Sequence, residues 1–286
     1  MNSRERIYTI IDGGTPDRCG FWMGHPHPDT WPLYEARLGM KRDEIRQWLG
    51  DDIFWDAPDW SCYRHPKGRS LFDITNGEWH KRAHGQSGPL ANIRSIDELD
   101  RFEWPNPDHM DFTDFIARLK QKGSIYRASG MWTCFYHIVM DMFGMENYLC
   151  YMYEEPEIVT AVTDRVCGFY YEANRRFFEQ AGNEVDAFFF GNDFGTQCDL
   201  IISPELFDQF VMPWFRKFTD LGHSFGRQVI LHSCGAIAKV IDRLIDAKVD
   251  CLHPLQARAA NMEAENLARL YKGRIAFLGG IDTQEL

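Results

Sequence analysis

VDAFFFGND, residues 185–193, decides the fold, because so continuous an apolar run is typical of a strand buried on both faces. The run ends in Gly191, Asn192 and Asp193, where a tight turn is expected to leave the sheet. QVILHSCG, residues 228–235, repeats the pattern. A segment with a helical pattern precedes each run, which predicts strands alternating with helices in a parallel sheet.

The alternation continues through most of the chain. Pro156–Ala181 is predicted as a long helix with proline in its first turn, and Thr30–Leu38 and Arg42–Leu49 are predicted as shorter helices. The first predicted strand is Cys19–Gly24, and strands are expected near residues 20, 53, 126, 187, 230, 250 and 276. This α/β pattern favours a TIM (β/α)8 barrel with an elaborated N-terminal region. A doubly wound open sheet competes, but no glycine-rich dinucleotide loop follows the first strand.

The predicted strands number seven, and a barrel needs an eighth. The sequence ends four residues after Asp282, where a helix is expected to begin. We therefore expect a single barrel domain over residues 1–286 that lacks its last strand and helix in this sequence.

Composition and charge restrict the partners and the compartment. Hydrophobic residues make up 44% of the chain and charged residues 26%, as in ordinary globular proteins. The net charge of −11 argues against nucleic acid, because an acidic surface repels phosphate. No apolar run reaches membrane-spanning length. The eight cysteines are widely spaced and no secretory leader is visible, so we expect unpaired thiols and a cytoplasmic location.

His232 and Cys234 form the strongest candidate site. Residues i and i+2 of an extended segment point to the same side, so this imidazole and thiolate can meet one Zn²⁺ ion. A buried cysteine beside a core histidine is the alternative. The active site of a barrel lies at the C-terminal ends of its strands, where this pair stands, and that favours the metal. A thiol bound at the open position of the zinc would be deprotonated to a nucleophile.

Other polar residues also follow predicted strands. Asp193 is a candidate general base or orienting group, with a turn-forming aspartate as the alternative. Asp56 and Asp282 are candidate catalytic carboxylates, or else a turn residue and the N-cap of the next helix. The candidate substrate contacts are His25, His137, Trp132 and Gln256. The alternative for Trp132 is packing in the core, and for His137 it is a core or surface position. His25 could instead be a loop residue or an extra metal ligand.

Five segments of the chain carry motifs that identify a family. They are GNDFGTQ at 191–197, ISPELF at 202–207, HSCG at 232–235, GGIDT at 279–283 and residues 95–108. Together they resemble the uroporphyrinogen decarboxylase (URO-D) superfamily, most specifically from about residue 185 onward. The resemblance implies a TIM barrel and one of two chemistries. The first is decarboxylation of the acetate side chains of uroporphyrinogen without a metal. The second is zinc-dependent methyl transfer between a corrinoid (cobalamin) protein and a thiol.

Two motifs separate these chemistries. Decarboxylases of the superfamily carry Arg-Gln-Ala-Gly-Arg at the first strand, whereas this chain has FWMGHPH at residues 21–27, without arginine. The methyltransferase branch uses His-x-Cys and a distant cysteine as zinc ligands. The resemblance thus implies His232 and Cys234 as two ligands and a third beyond Leu286, since neither Cys198 nor Cys251 is at the expected place.

We therefore favour a zinc-dependent methyltransferase that moves a methyl group between a corrinoid protein and a thiol-type acceptor, with Asp193 and Asp282 orienting the acceptor. A uroporphyrinogen decarboxylase with Asp56 as its key carboxylate is the first alternative. A non-catalytic corrinoid- or tetrapyrrole-binding protein is the second.

Overall fold

A parallel sheet forms the centre of the fold in the computed structural model, which describes residues 1–58, 60–73 and 88–280. Within these residues the sheet has six strands in sequential order. They are β1 (Ile53–Trp55), β2 (Tyr126–Ser129), β3 (Ala187–Gly191), β4 (Gln228–His232), β5 (Cys251–His253) and β6 (Ala276–Phe277). Sequential parallel strands joined by helices form a partial (β/α)8 barrel, and not a doubly wound sheet, whose strand order reverses.

Helices cover the outside of the sheet. The predicted long helix Pro156–Ala181 is confirmed, since the helix starts at Pro156 and ends before Gly182, whose φ is +52°. None of the helices within the described residues is both long and apolar enough to span a membrane. The helices are α1 (Ser3–Ile11), α2 (Thr30–Leu38), α3 (Arg42–Leu49), α4 (Ile96–Leu99), α5 (Thr113–Lys120), α6 (Phe135–Phe143), α7 (Met145–Glu154), α8 (Pro156–Ala181), α9 (Pro204–Leu206), α10 (Met212–Ser224), α11 (Ile241–Asp246) and α12 (Ala264–Tyr271).

The predicted first strand, Cys19–Gly24, is not a strand, so that prediction was wrong. The Phe21 carbonyl does accept a hydrogen bond from the Asp52 amide at 2.8 Å, as a strand beside β1 would. The amides of Phe21 and Met23, however, donate to the side chains of Asp52 and Asp51. The two carboxylates therefore accept hydrogen bonds from backbone amides that would otherwise pair with a neighbouring strand. As a result, the segment runs beside β1 without regular strand geometry.

β3 is buried on both faces, as its apolar run predicts. Phe188 packs against Phe178 of α8 with ring centroids 5.2 Å apart, and Phe190 lies in the same outer cluster. Phe189 points into the barrel, where its ring lies 6.1 Å from that of Trp132. Burying one phenylalanine side chain contributes about 1.5–3 kcal/mol, so β3 anchors the centre of the sheet.

α1 closes the end of the barrel at which the strands begin. The Arg4 guanidinium donates to Asp186 at 2.6 Å, and the Tyr8 hydroxyl donates to the same carboxylate at 3.3 Å. Asp12 accepts a hydrogen bond from Gln228 at 2.6 Å. Because Asp186 and Gln228 stand at the starts of β3 and β4, this end is filled. The opposite end, where the strands finish, is the mouth of the barrel.

Candidate metal centre

Three potential metal ligands meet at the mouth of the barrel. Asp193, His232 and Cys234 each offer one ligand atom, and these three atoms lie within 4.8 Å of one another. His232 Nε2 is 3.3 Å from Asp193 Oδ1 and 3.5 Å from Cys234 Sγ. Across the part of the chain that the structure describes, no other group of three His, Cys, Asp or Glu side chains is arranged in this way.

These spacings fit a zinc ion. Ligand atoms about 2.0–2.3 Å from a tetrahedral zinc are roughly 3.3–3.8 Å apart, which matches the two separations measured from His232 Nε2. A sulfur, a nitrogen and a carboxylate oxygen are all donors that zinc accepts. The Asp193 side chain is 44% exposed and that of His232 is 22% exposed, so the centre is open to solvent at the mouth.

Strand register brings Asp193 to this pair. Gly191 of β3 pairs with His232 of β4, and Asp193 and Cys234 each lie two residues further along. The Cys234 amide donates to Asp193 Oδ1 at 2.8 Å. The sequence indicated Asp193 as a base or orienting group, and the family resemblance implied a third ligand beyond Leu286. In the structure Asp193 is a further potential donor beside His232 and Cys234.

Electrostatics at the centre set the protonation of the thiol. Burial and the neighbouring Asp193 carboxylate raise the pKa of Cys234 to about 12. Burial opposes the ionisation of Asp193 too, but hydrogen bonds from His232 and from the Cys234 amide lower the pKa of Asp193 to about 2. The site therefore pairs a carboxylate with a protonated thiol, which a bound metal would deprotonate.

Gln256 supports the loop that carries Cys234. Its Oε1 accepts hydrogen bonds from the Gly235 amide and from Gln197 Nε2, both at 2.9 Å. Gly235 has a φ of +87°, and a Cβ placed there would lie 2.2 Å from the Gly195 carbonyl oxygen. The structure thus places Gln256, a predicted substrate contact, against the metal-site loop.

Gly235→Ala is expected to destabilise the fold by about 2–3 kcal/mol, since it combines left-handed backbone strain with a clash against backbone. Gly226→Ala is the matched control, because Gly226 has a φ of +68° with nothing within 4 Å of an added Cβ. That control is expected to cost about 1–2 kcal/mol. Urea denaturation measures both, and equal losses would contradict the account of Gly235.

Aromatic side chains line the barrel next to the centre. The Trp132 ring lies 5.4 Å from that of His232 and 5.5 Å from that of Trp55. The His25 ring packs edge-on against Trp55 at 5.0 Å. Two predicted substrate contacts, Trp132 and His25, therefore belong to one aromatic layer beside the metal ligands.

The other predicted site residues are not among the three potential metal ligands. His137 lies on α6, and its charge contributes to lowering the pKa of Asp193. Asp56 follows β1, and its carboxylate accepts a hydrogen bond from the Ala57 amide at 3.0 Å. Burial lowers the pKa of His25, and so do the positive charges of Arg42 and Arg46. The Asp56 carboxylate raises the same pKa, but the net shift is downward. Asp282 lies outside the described residues.

His253 adjoins the centre and was not among the predicted site residues. Its Nδ1 lies 2.9 Å from His232 Nδ1, on the side of the ring away from Asp193 and Cys234. β5 pairs with β4 so that His253 is in register with His232. Aligning the ends of neighbouring predicted strands would therefore have placed His253 beside His232. The same alignment places Asp193 beside Cys234.

Comparison with known proteins agrees with this architecture. Residues 84–286 match the family model of uroporphyrinogen decarboxylase (URO-D). The chain belongs to the uroporphyrinogen decarboxylase family. This URO-D family enzyme has the fold of a solved methyltransferase from Methanosarcina mazei, with a TM-score of 0.65 and 14% identity over 100% of this chain and 85% of that one. No curated protein matches the chain.

Membership of the URO-D family confirms the resemblance seen in the sequence motifs, which implied the same barrel as the alternation of strands and helices. At 14% identity, the likeness to the Methanosarcina mazei methyltransferase shows a common fold. Within the described residues, this URO-D protein contributes six sequential parallel strands to the barrel fold.

Proposed function

We propose that this URO-D family protein is a zinc-dependent methyltransferase that moves a methyl group between a corrinoid carried by a partner protein and a thiol-type acceptor. His232, Cys234 and Asp193 would hold the zinc. The observation that carries the proposal is the spacing of these three donors at the open end of the barrel. The two separations measured from His232 Nε2 are compatible with one tetrahedral zinc, and three protein donors would leave a fourth position for a substrate.

The residues around the ligands have distinct roles in this proposal. Zinc bound at the three donors would lower the pKa of a coordinated thiol and supply a thiolate nucleophile at neutral pH. Trp132 packs edge-on against the His232 ring and would present an apolar surface to the substrate on the barrel side of the centre. Gln256 holds the Cys234 loop in place. Asp282 is proposed to orient the acceptor.

Decarboxylation is less well supported, because a substrate with many carboxylates needs unpaired cations around it. Two arginines flank the segment at residues 21–27, where the decarboxylase arginines are expected. Arg18 is paired with Asp52 at 2.7 Å, and Arg46 is paired with Asp51 and donates to the Gly24 carbonyl. Loss of acetate carboxyl groups from uroporphyrinogen on incubation with the protein would favour decarboxylation instead.

The cysteines are consistent with this function. All eight lie in described parts of the chain, and none forms a disulfide. A thiol that serves as a zinc ligand must stay reduced, which a reducing compartment ensures. A cytoplasmic location is therefore part of the proposal.

The experiment that tests the function supplies the zinc-loaded protein with methylcobalamin and 2-mercaptoethanol. The methyl group leaves cobalt and bonds to sulfur, so the expected products are the methyl thioether and cob(I)alamin in equal amounts. Omitting zinc should abolish both, and Cys150→Ala, an exposed cysteine on α7, should change neither. Methyl transfer that is independent of zinc would contradict the proposal.

Zinc binding is expected to strengthen as the pH rises. The Cys234 thiol, with a pKa raised to about 12, is protonated near neutrality, and zinc must displace that proton. Apparent affinity should therefore increase about tenfold per pH unit between about pH 6.5 and 8.5. Competition with a chromophoric chelator, corrected for the chelator's own titration, measures this slope. Cys234→Asp, whose side chain is already ionised, should flatten the slope, and an unchanged slope in that variant would count against Cys234 as the ligand.

A further inference from the structure

We infer that His253 is a positioning residue that holds the His232 ring in the tautomer able to bind a metal through Nε2. This inference rests on the zinc site proposed above. It concerns a residue outside the three donors and a contact on the opposite side of the His232 ring from them.

The geometry assigns one nitrogen of His232 to each neighbour. Nε2 faces Asp193 and Cys234, so it is the atom that would ligate zinc. A ligating nitrogen carries no proton, and a neutral imidazole carries one, so that proton must sit on Nδ1. The Nδ1 atom of His253, 2.9 Å away, is then the acceptor, and the proton of His253 sits on its own Nε2.

Without metal, Asp193 acts against this arrangement. Its carboxylate lies 3.3 Å from His232 Nε2 and accepts a hydrogen bond from that nitrogen when it is protonated, which favours the tautomer that cannot ligate through Nε2. An acceptor on the other side of the ring offsets that preference by taking a hydrogen bond from Nδ1. His253 occupies that position, and such outer partners of a ligating histidine contribute about 10–100-fold in metal affinity.

The surroundings of His253 fix its own ring. Its backbone carbonyl accepts a hydrogen bond from the Ser233 amide at 2.8 Å, within the β4–β5 pairing. The imidazole packs against Trp22 and Phe189, with ring centroids 5.2 and 5.4 Å away. Backbone pairing and two aromatic neighbours therefore aim Nδ1 at His232 before any metal is bound.

Two substitutions at His253 separate positioning from packing. His253→Asn keeps an acceptor oxygen close to the place of Nδ1, whereas His253→Leu removes the acceptor and keeps an apolar side chain. We expect His253→Leu to weaken zinc about 10–100-fold in chelator competition, and His253→Asn to stay within about threefold of the unmodified protein. Circular dichroism confirms that both variants are folded.

A spectroscopic measurement reads the tautomer directly. In the zinc-loaded protein with 15N-labelled histidine, His232, assigned by its loss in His232→Gln, should show a protonated Nδ1 and a metal-bound Nε2. The Nδ1 proton should be coupled to Nδ1 of His253. Protonation of Nε2, or no coupling between the two rings, would overturn the inference even if the variants failed to fold.

The outcomes for this inference and for the proposed function differ. Unmodified protein that binds no zinc would overturn the proposed function and this inference together. Zinc bound equally well by the unmodified protein and by His253→Leu would overturn this inference alone. Equal losses in His253→Leu and His253→Asn would also overturn it, because they would show that the ring acts by packing.

Discussion

Cys234→Ala is expected to weaken zinc binding by more than about 100-fold, beyond the 10–100-fold typical of outer-shell partners, and to abolish thiol methylation. The substitution removes the single sulfur among the three donors, which is the ligand that most favours zinc over harder cations. The cost of deprotonating this thiol, whose pKa burial and Asp193 raise to about 12, offsets only part of that loss. Equilibrium dialysis followed by elemental analysis gives the zinc bound per chain.

Cys150→Ala controls for the general effects of removing a cysteine, because Cys150 is exposed on α7. It should retain the zinc content and affinity of the unmodified protein. Zinc held as tightly by Cys234→Ala as by the control would show that the metal binds elsewhere.

Asp52→Asn is expected to reduce the free energy of unfolding by about 3–5 kcal/mol, the usual cost of breaking a buried ion pair. The Asp52 side chain is fully buried and accepts hydrogen bonds from Arg6 and Arg18 at 2.7 Å and from the Phe21 amide at 2.9 Å. It joins α1, β1 and the segment that replaces the predicted first strand. Asp220→Asn, at a carboxylate 65% exposed and 3.4 Å from Lys248, is the control and should change stability by less than about 1 kcal/mol. Similar losses in both variants, measured by urea denaturation, would contradict this account.

The same carboxylate gives the fold an acid sensitivity. Burial opposes ionisation of Asp52, but hydrogen bonds from the Phe21 amide and Arg18 outweigh it and lower the pKa of Asp52 below its ordinary value. A group whose pKa is lower in the folded state stabilises fully above its unfolded pKa and loses that contribution as the pH falls through its folded pKa. The unmodified protein should therefore lose more stability than Asp52→Asn between about pH 5 and 3.

The sequence predicts the core of this fold well, because the interior strands are apolar on both faces. Val185–Phe190 and Gln228–Leu231 are predicted from continuous apolar runs and correspond to β3 and β4 in the structure. Cys19–Gly24 has a similar apolar appearance, yet it is irregular, because Asp51 and Asp52 bind its amides. Side-chain hydrogen bonds between distant segments leave no periodic signal in the sequence.

The candidate site is predicted in part, for a related reason. His232 and Cys234 lie two residues apart on one segment, so local geometry suffices to bring them together. Asp193 and His253 join them through the pairing of β3, β4 and β5, which depends on strand register. Register is a tertiary property, and the sequence indicates that these residues end strands without stating which side chains meet.

X-ray absorption at the zinc edge of the purified, zinc-loaded protein reports which atoms bind the metal, and so tests whether His232, Cys234 and Asp193 hold one zinc ion. We expect a single sulfur at about 2.3 Å and nitrogen or oxygen ligands at about 2.0–2.2 Å, with the sulfur lost in Cys234→Ala. A ligand shell without sulfur in the unmodified protein, or one that Cys234→Ala leaves unchanged, would contradict it.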